Sequence, residues 1–262
     1  MTKKSNYERQ LALIQGKNVN VSEENPLIEF SKLICIIVII VVFILFSGEL
    51  IMEIIIDNLS AKTQNKIEKV LSCNCTQSNS TKYANQILLL NELKYKMIAF
   101  DKKLQDKSSF PIYVLDDKTI NAMVTADGTI FFTSGLLEQE LQEEELAFVL
   151  AHELGHYANR HHLKRISKLV LRTLIDTTLS NESSVSPVVG SITNLNTLSY
   201  SRTHELQADK YASRMLYYLY GNNTGGILFL KRLEKEYGSS EFANYFSTHP
   251  SLNKRYKLLK KD

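Results

Sequence analysis

Histidine is missing from the first 151 residues of this 262-residue chain, and all six copies fall after that point. Such confinement points to a local site rather than to general usage. Four prolines and ten glycines are too few for a collagen-like or linker-dominated chain. Three cysteines, one of them (Cys35) inside an apolar run, cannot form a multi-bridge framework. A net charge of +3, from 31 basic against 28 acidic residues, is too small for a nucleic-acid binder, and no Lys/Arg run interleaved with aromatics occurs. No nucleic-acid partner is expected. What remains, 44% hydrophobic and 23% charged, is an ordinary globular composition with enough apolar material for a real core in one or two domains.

Residues 1–32 form a polar tail. From Leu33 to Gly48 the chain carries sixteen residues without charge (LICIIVIIVVFILFSG), slightly under the ~17–25 of a spanning helix. Apolar character resumes after Glu49, so a single transmembrane helix over 33–56 is expected, with the lipid bilayer as its partner. Glu49, Glu53 and Asp57 fall on one stripe of such a helix, facing headgroups or protein. A cleaved signal peptide fits poorly: the leader is too long, and Phe46-Ser47-Gly48 offers no small-x-small site. Lys17 and Lys32 on one flank against Lys62 and Lys66 on the other leave the positive-inside count tied. The tail's five basic residues lean towards tail-inside. Residues 57–81 read as a polar spacer, and Cys73-Asn74-Cys75 within it, without a second pair, is weak evidence of a metal or redox site.

Residues 82–262 read as one domain. Tyr83–Leu104 has helical spacing. Ile112–Leu115, Asn121–Thr125 and Thr129–Thr133 read as short strands, with Asp127-Gly128 as a hairpin turn between the last two. A small antiparallel sheet is the expectation. From Gln142 onward the chain reads as helix, over 143–160, 163–179, 199–219, 224–236 and 250–260, with a Ser/Pro-rich break at 181–190. The fold class is therefore α+β, mostly helical.

The chemistry-bearing residues sit in those helices. His152-Glu153-Leu154-Gly155-His156 places two imidazoles one turn apart, where both reach one ion, and Glu153 beside them. This is the H-E-x-x-H arrangement of zinc hydrolases, and this composition yields roughly 0.01 accidental matches. Catalytic zinc takes three protein ligands and a water. Glu205, Ala208, Asp209 and Ala212 share a face of the 199–219 helix; Glu205 can ligate, and Asp209 can accept an N–H from a ligating histidine. One zinc ion per chain is the cofactor expected.

H-E-L-G-H, then S-R-x-x-E-L-Q-A-D, then Thr248-His249-Pro250-x4-Arg255 resemble the ordered motifs of the HtpX-like zinc metallopeptidases, which include Oma-type, BepA-type and CAAX-prenyl proteases. Asn121-Ala122 followed by Gly128–Leu137 is similar to that family's strand before the active-site helix. The resemblance implies a gluzincin domain with zinc on His152, His156 and Glu205, and Glu153 as the general base for a zinc-activated water. It also implies that the strand Ile130, Phe131, Phe132, Thr133 pairs with extended polypeptide substrate. It places His249 near the zinc, stabilising the oxyanion or filling the open coordination site in a resting form. Arg255 would clamp that segment to the domain. A single spanning segment argues against prenylated-peptide processing and for an anchored, extracytoplasmic enzyme.

The function expected is a membrane-anchored zinc endopeptidase acting on unfolded or misfolded membrane and exported proteins. The alternative is a chaperone-like assembly factor with weak or gated proteolysis. A metal-dependent hydrolase for another bond is open on H-E-x-x-H alone. Of the remaining histidines, His161 and His162 are expected at a solvated helix end, with at most one facing the site, and His204 is expected to be exposed.

Overall fold

A computed structural model describes residues 25–70, 81–105, 110–180, 199–235, 243–250 and 252–260, together with residues 8, 10 and 11. Cys73, Cys75 and the break at 181–190 lie outside the described residues. The chain divides into two units, Met1–Glu49 and Leu50–Asp262.

In the first unit the described structure is mostly one helix. Helix α1 runs from Pro26 through to Asp57, 32 residues. Proline suits its first position, and the Asn25 side chain accepts the Leu27 N–H at 3.0 Å to cap it. Side chains such as Leu33, Ile36, Val38, Ile39 and Phe43 are exposed, as lipid-facing residues would be. By length and composition this helix can cross a membrane.

The second unit begins with the last turns of α1. Ile56 is buried there, Asp57 pairs with Lys164 at 2.7 Å, and Glu53 lies 3.7 Å from Lys168. Of the acidic stripe, these two residues meet protein. The expected spacer contains helix α2, Ala61–Val70, and its Glu68 is buried. Glu68 accepts the Tyr157 hydroxyl at 2.8 and 2.9 Å on its two oxygens. The compact unit therefore reaches back well before residue 82. Polar composition read as a linker because a single buried carboxylate is invisible in a run of lysines, asparagines and threonines.

Helix α3 (Ala84–Phe100) buries Leu90, Leu93 and Met97, and a short α4 (Lys102–Gln105) follows. Three strands come next, β1 (Ile112–Leu115), β2 (Ala122–Val124) and β3 (Ile130–Thr133), in the order β1-β3-β2. The sheet is mixed, where an antiparallel one was expected. β2 pairs antiparallel with β3 through the Asp127-Gly128 turn, with Gly128 at a φ of 81°, but β1 pairs parallel with β3. Two successive reversals make β3 run with β1, and β3 takes the centre because all four of its residues are buried. β1 and β2 alternate buried with half-buried residues, as edges do.

A short α5 (Ser134–Leu137) leads to α6, Glu143–Ala158. Glu145 folds back to accept the Gln142 N–H at 3.0 Å, and three glutamates occupy the first turn, where the helix dipole favours them. Every residue of α6 from Glu145 to Tyr157 is buried, so this helix is the centre of the core. Around it pack α3, α8 (Arg202–Tyr220), α9 (Thr224–Lys235) and β2. A Cβ on Gly155 would lie 3.0 Å from the Tyr211 Cβ, so glycine is what lets α6 and α8 approach so closely. Helix α7 (His161–Ser180) follows α6 after a break at Arg160, whose φ is 55°. Helices α10 (Ala243–Thr248) and α11 (Leu252–Leu259) complete the unit.

Candidate metal centre

Helix α6 presents His152 and His156 one turn apart, with their Nε2 atoms 3.0 Å from each other. Helix α8, capped by the Ser201 hydroxyl on the His204 N–H, brings in Glu205. Its Oε1 lies 3.3 Å from His156 Nε2, and its Oε2 lies 3.7 Å from His152 Nε2. The turn after α10 adds His249, whose Nδ1 is 3.2 Å from Glu205 Oε1 and 3.3 Å from His152 Nε2. One donor atom from each of the four lies within 4.8 Å of all the others, and all four side chains are buried.

Behind the donors each side chain is tied outward. His152 Nδ1 lies 2.9 Å from Asp209 Oδ1, and because a carboxylate only accepts, that nitrogen carries the proton and Nε2 presents its lone pair inward. Arg255, fully buried, donates to Asp209 through Nε at 2.7 Å and Nη2 at 2.8 Å, and its Nη1 lies 2.9 Å from Glu205 Oε2. Burial would raise the Glu205 carboxyl, but His249, Arg255 and His156 outweigh it and hold it well below its ordinary value. Asp209 is lowered likewise, its burial outweighed chiefly by Arg255 and His152. Burial drives His156 well below the usual imidazole value, leaving it neutral. A neutral His156 beside an ionised Glu205 gives donor states that suit zinc. The cluster is consistent with one zinc ion.

Glu153 stands apart from the donors. Its Oε2 accepts the Val124 N–H of β2 at 3.0 Å. Its Oε1 is buried without a hydrogen-bond partner among the described residues and lies 3.8 Å from His249 Nε2. Burial pushes this carboxyl above its ordinary value, partly offset by His249 and His152.

The structure thus gathers His152, Glu153, His156, Glu205, Asp209, His249 and Arg255 at one place. It does not bring Ile130–Thr133 there as a free edge, because β3 is bonded on both sides and has no edge to offer a substrate. Three histidines also depart from expectation, all being buried. His161 Nδ1 is 3.0 Å from His156 Nδ1, while its Nε2 meets Gln207 Oε1 at 2.8 Å. His204 stacks on His161 with centroids 4.2 Å apart. His162 stacks on Tyr157 and lies 3.6 Å from Glu68. Burial lowers His161 to about 2 and His204 to about 4. The signal for His161 was its place five residues beyond the motif, concealed because the left-handed Arg160 resets the helical phase.

The sequence model of Peptidase family M48 matches residues 91–262. Mitochondrial metalloendopeptidase OMA1 of Arabidopsis thaliana is 29% identical over 152 residues, 58% of this chain and 31% of its own length. OMA1 of Saccharomyces cerevisiae is 33% identical over 98 residues, 37% of this chain and 28% of its own. Protease HtpX of Legionella pneumophila is 27% identical over 197 residues, 57% of this chain and 69% of its own. The chain spans about a third of the length of the OMA1 relatives.

Proposed function

The chain belongs to peptidase family M48, and from that premise we propose that it is a zinc endopeptidase, anchored in a membrane by α1, that cleaves unfolded or misfolded membrane and exported proteins. The observation carrying this is the convergence of His152, His156, Glu205 and His249 beside a buried Glu153. His152, His156 and Glu205 would hold the zinc, which supplies Lewis-acid polarisation of a carbonyl and brings the pKa of a bound water down to about 7.

The chain's own residues supply the rest. Val124 N–H fixes one oxygen of Glu153, leaving Oε1 to take a proton from the attacking water and return it to the departing amine. Burial raises that carboxyl above its ordinary value, which suits a group that must accept the proton before releasing it. Asp209 and Arg255 hold His152 and Glu205 in place. Extended substrate falls to β2 instead of β3. Asn121 O accepts from Thr133 N and Thr125 N donates to Thr129 O on the β3 side. By the alternation of an antiparallel ladder, the Ala122 backbone groups and the Val124 carbonyl point to the outer side, beside the Val124 N–H that holds Glu153.

Gated proteolysis is favoured by one observation. With His249 included the donors number four, the closed count of structural zinc sites, whereas catalysis needs an open position. His249 would withdraw before substrate enters, and in withdrawing could support the oxyanion.

The test is zinc content and casein cleavage by the full chain in detergent. Glu153→Gln should keep about one zinc per chain and lose ~10²-fold or more of activity. Loss of zinc with the fold intact would make Glu153 a ligand. We place the catalytic unit on the extracytoplasmic side; a carboxy-terminal reporter active solely in the cytoplasm would reverse that.

A further inference from the structure

The two imidazoles on α6 are oriented by different means. His152 leans on a carboxylate, Asp209, itself clamped by Arg255. His156 makes no such contact on its far side. Its Nδ1 faces the Nδ1 of His161, and His161 in turn faces the side-chain oxygen of Gln207 on α8. The His156 and His161 Nδ1 atoms, 3.0 Å apart on the side of His156 turned away from the metal donors, form a hydrogen bond in which one donates and the other accepts. Gln207 Oε1 only accepts, so His161 carries its proton on Nε2 and offers a bare Nδ1 to His156. His156 must then carry its own proton on Nδ1, so its Nε2 lone pair joins those of His152 Nε2 and Glu205 Oε1, a set of converging acceptors that a cation between them would hold together.

We propose that His161 and Gln207 form a hydrogen-bonded relay that positions His156 and fixes the tautomer able to bind metal. This rests on the zinc reading above. The opposite arrangement shows why the acceptor at the far end matters. Were an N–H donor to face His161 Nε2, the proton would sit on His161 Nδ1, and His156 would carry its proton on Nε2, blocking the ligand position. His204, stacked flat on His161 at an interplanar angle of 11°, and Tyr200, stacked on His156 with centroids 3.7 Å apart, hold the two rings in the required orientation. Gln207 ties the relay to the same helix that supplies Glu205, so ligand and tautomer selector move together. Gln207 also lines an open cleft with Asp57, Lys103, Arg160 and Lys164, so changes at its side chain can be made without opening the core.

The experiment measures zinc affinity of the full chain in detergent by competition with a chromophoric chelator, and thermal stability of the metal-free protein beside it. Gln207→Leu removes the acceptor from a partly exposed position, and zinc affinity should fall about 10–100-fold while metal-free stability changes little. Gln207→Glu keeps an acceptor and should stay within a few-fold of the unmodified chain. His161→Asn, which retains an acceptor near the Nδ1 position, should bind zinc more tightly than His161→Ala. Zinc affinity of Gln207→Leu equal to that of the unmodified chain overturns the relay and leaves the zinc site standing. Equal losses in Gln207→Leu and Gln207→Glu also overturn it. Absence of zinc binding by the unmodified chain overturns relay and zinc site together.

Discussion

Arg255→Met strikes at the support of the whole centre. The guanidinium makes two contacts to Asp209, at 2.7 and 2.8 Å, and one to Glu205 at 2.9 Å, with no solvent exposure at any of the three residues. Methionine fills much of the same volume without charge, leaving two buried carboxylates with only imidazole partners. Removing one partner of such a buried network costs about 3–5 kcal/mol. At roughly 2–4 °C per kcal/mol for a unit of this size, the melting temperature of the metal-free protein should drop by about 6–20 °C. Zinc should narrow the loss, because it neutralises Glu205 and binds the folded state only. The pH dependence carries a sign. In the unmodified chain both carboxyls are held below their ordinary range, so the stability they contribute is full above about pH 4 and is lost as pH falls through their depressed values. In Arg255→Met that counterweight is lost and both carboxyls rise, so protonation relieves the variant. The gap between the two proteins should therefore shrink from pH 7 to pH 4. Circular dichroism melts in chelator give the measurement, and adding Asp209→Asn should recover part of the loss. A melting temperature within about 2 °C of the unmodified chain at pH 7, or a gap independent of pH, would refute the reasoning.

Glu205→Ala should nearly abolish zinc retention in a chelator-competition assay; unchanged affinity would remove Glu205 from the donor set. His249→Ala should retain zinc and bind a zinc-chelating hydroxamate at least about tenfold more tightly, since a fourth donor no longer competes; equal affinity would show that His249 does not close the site. Gly155→Ala sets a Cβ 3.0 Å from Tyr211 Cβ and 3.1 Å from its ring, and should cost about 1–3 kcal/mol in denaturant titration while loosening zinc, because α8 carries Glu205. Unaltered stability would mean that α6 and α8 have room to spare.

The donor pair on α6 is legible in the sequence because one turn of helix fixes the relation of His152 to His156. Glu205, Asp209 and Arg255 were legible as motif positions, although only tertiary packing shows Arg255 reaching both carboxylates. The sheet misled because a short β-prone run does not say who its neighbours are. The feature that distinguishes β3, apolar side chains on both faces, was present in Ile130-Phe131-Phe132 but was read as one strand of a meander. Single-helix periodicity puts His161 and His162 at a solvated helix end, with at most one facing the site, and turns His204 to solvent. The burial of His161 and His204 arises where α7 and α8 meet, a contact between segments more than forty residues apart that no local pattern encodes. Glu68 was hidden for the same reason.

The order in which the site's parts occur along the chain has a consequence for biosynthesis. His152 and Arg255 lie 103 residues apart, and Glu205 and His249 fall between them. At about 5–20 residues per second, roughly five to twenty seconds separate translation of the first ligand from that of the residue that neutralises the third. During that interval α6 can form, yet Glu205 has neither Arg255 to make its burial tolerable nor His249 beside it. A nascent chain on the ribosome therefore holds no assembled hydrolytic centre. Truncation products ending before residue 249 inherit the same incapacity, so unfinished copies would be inert by the sequence of their own manufacture.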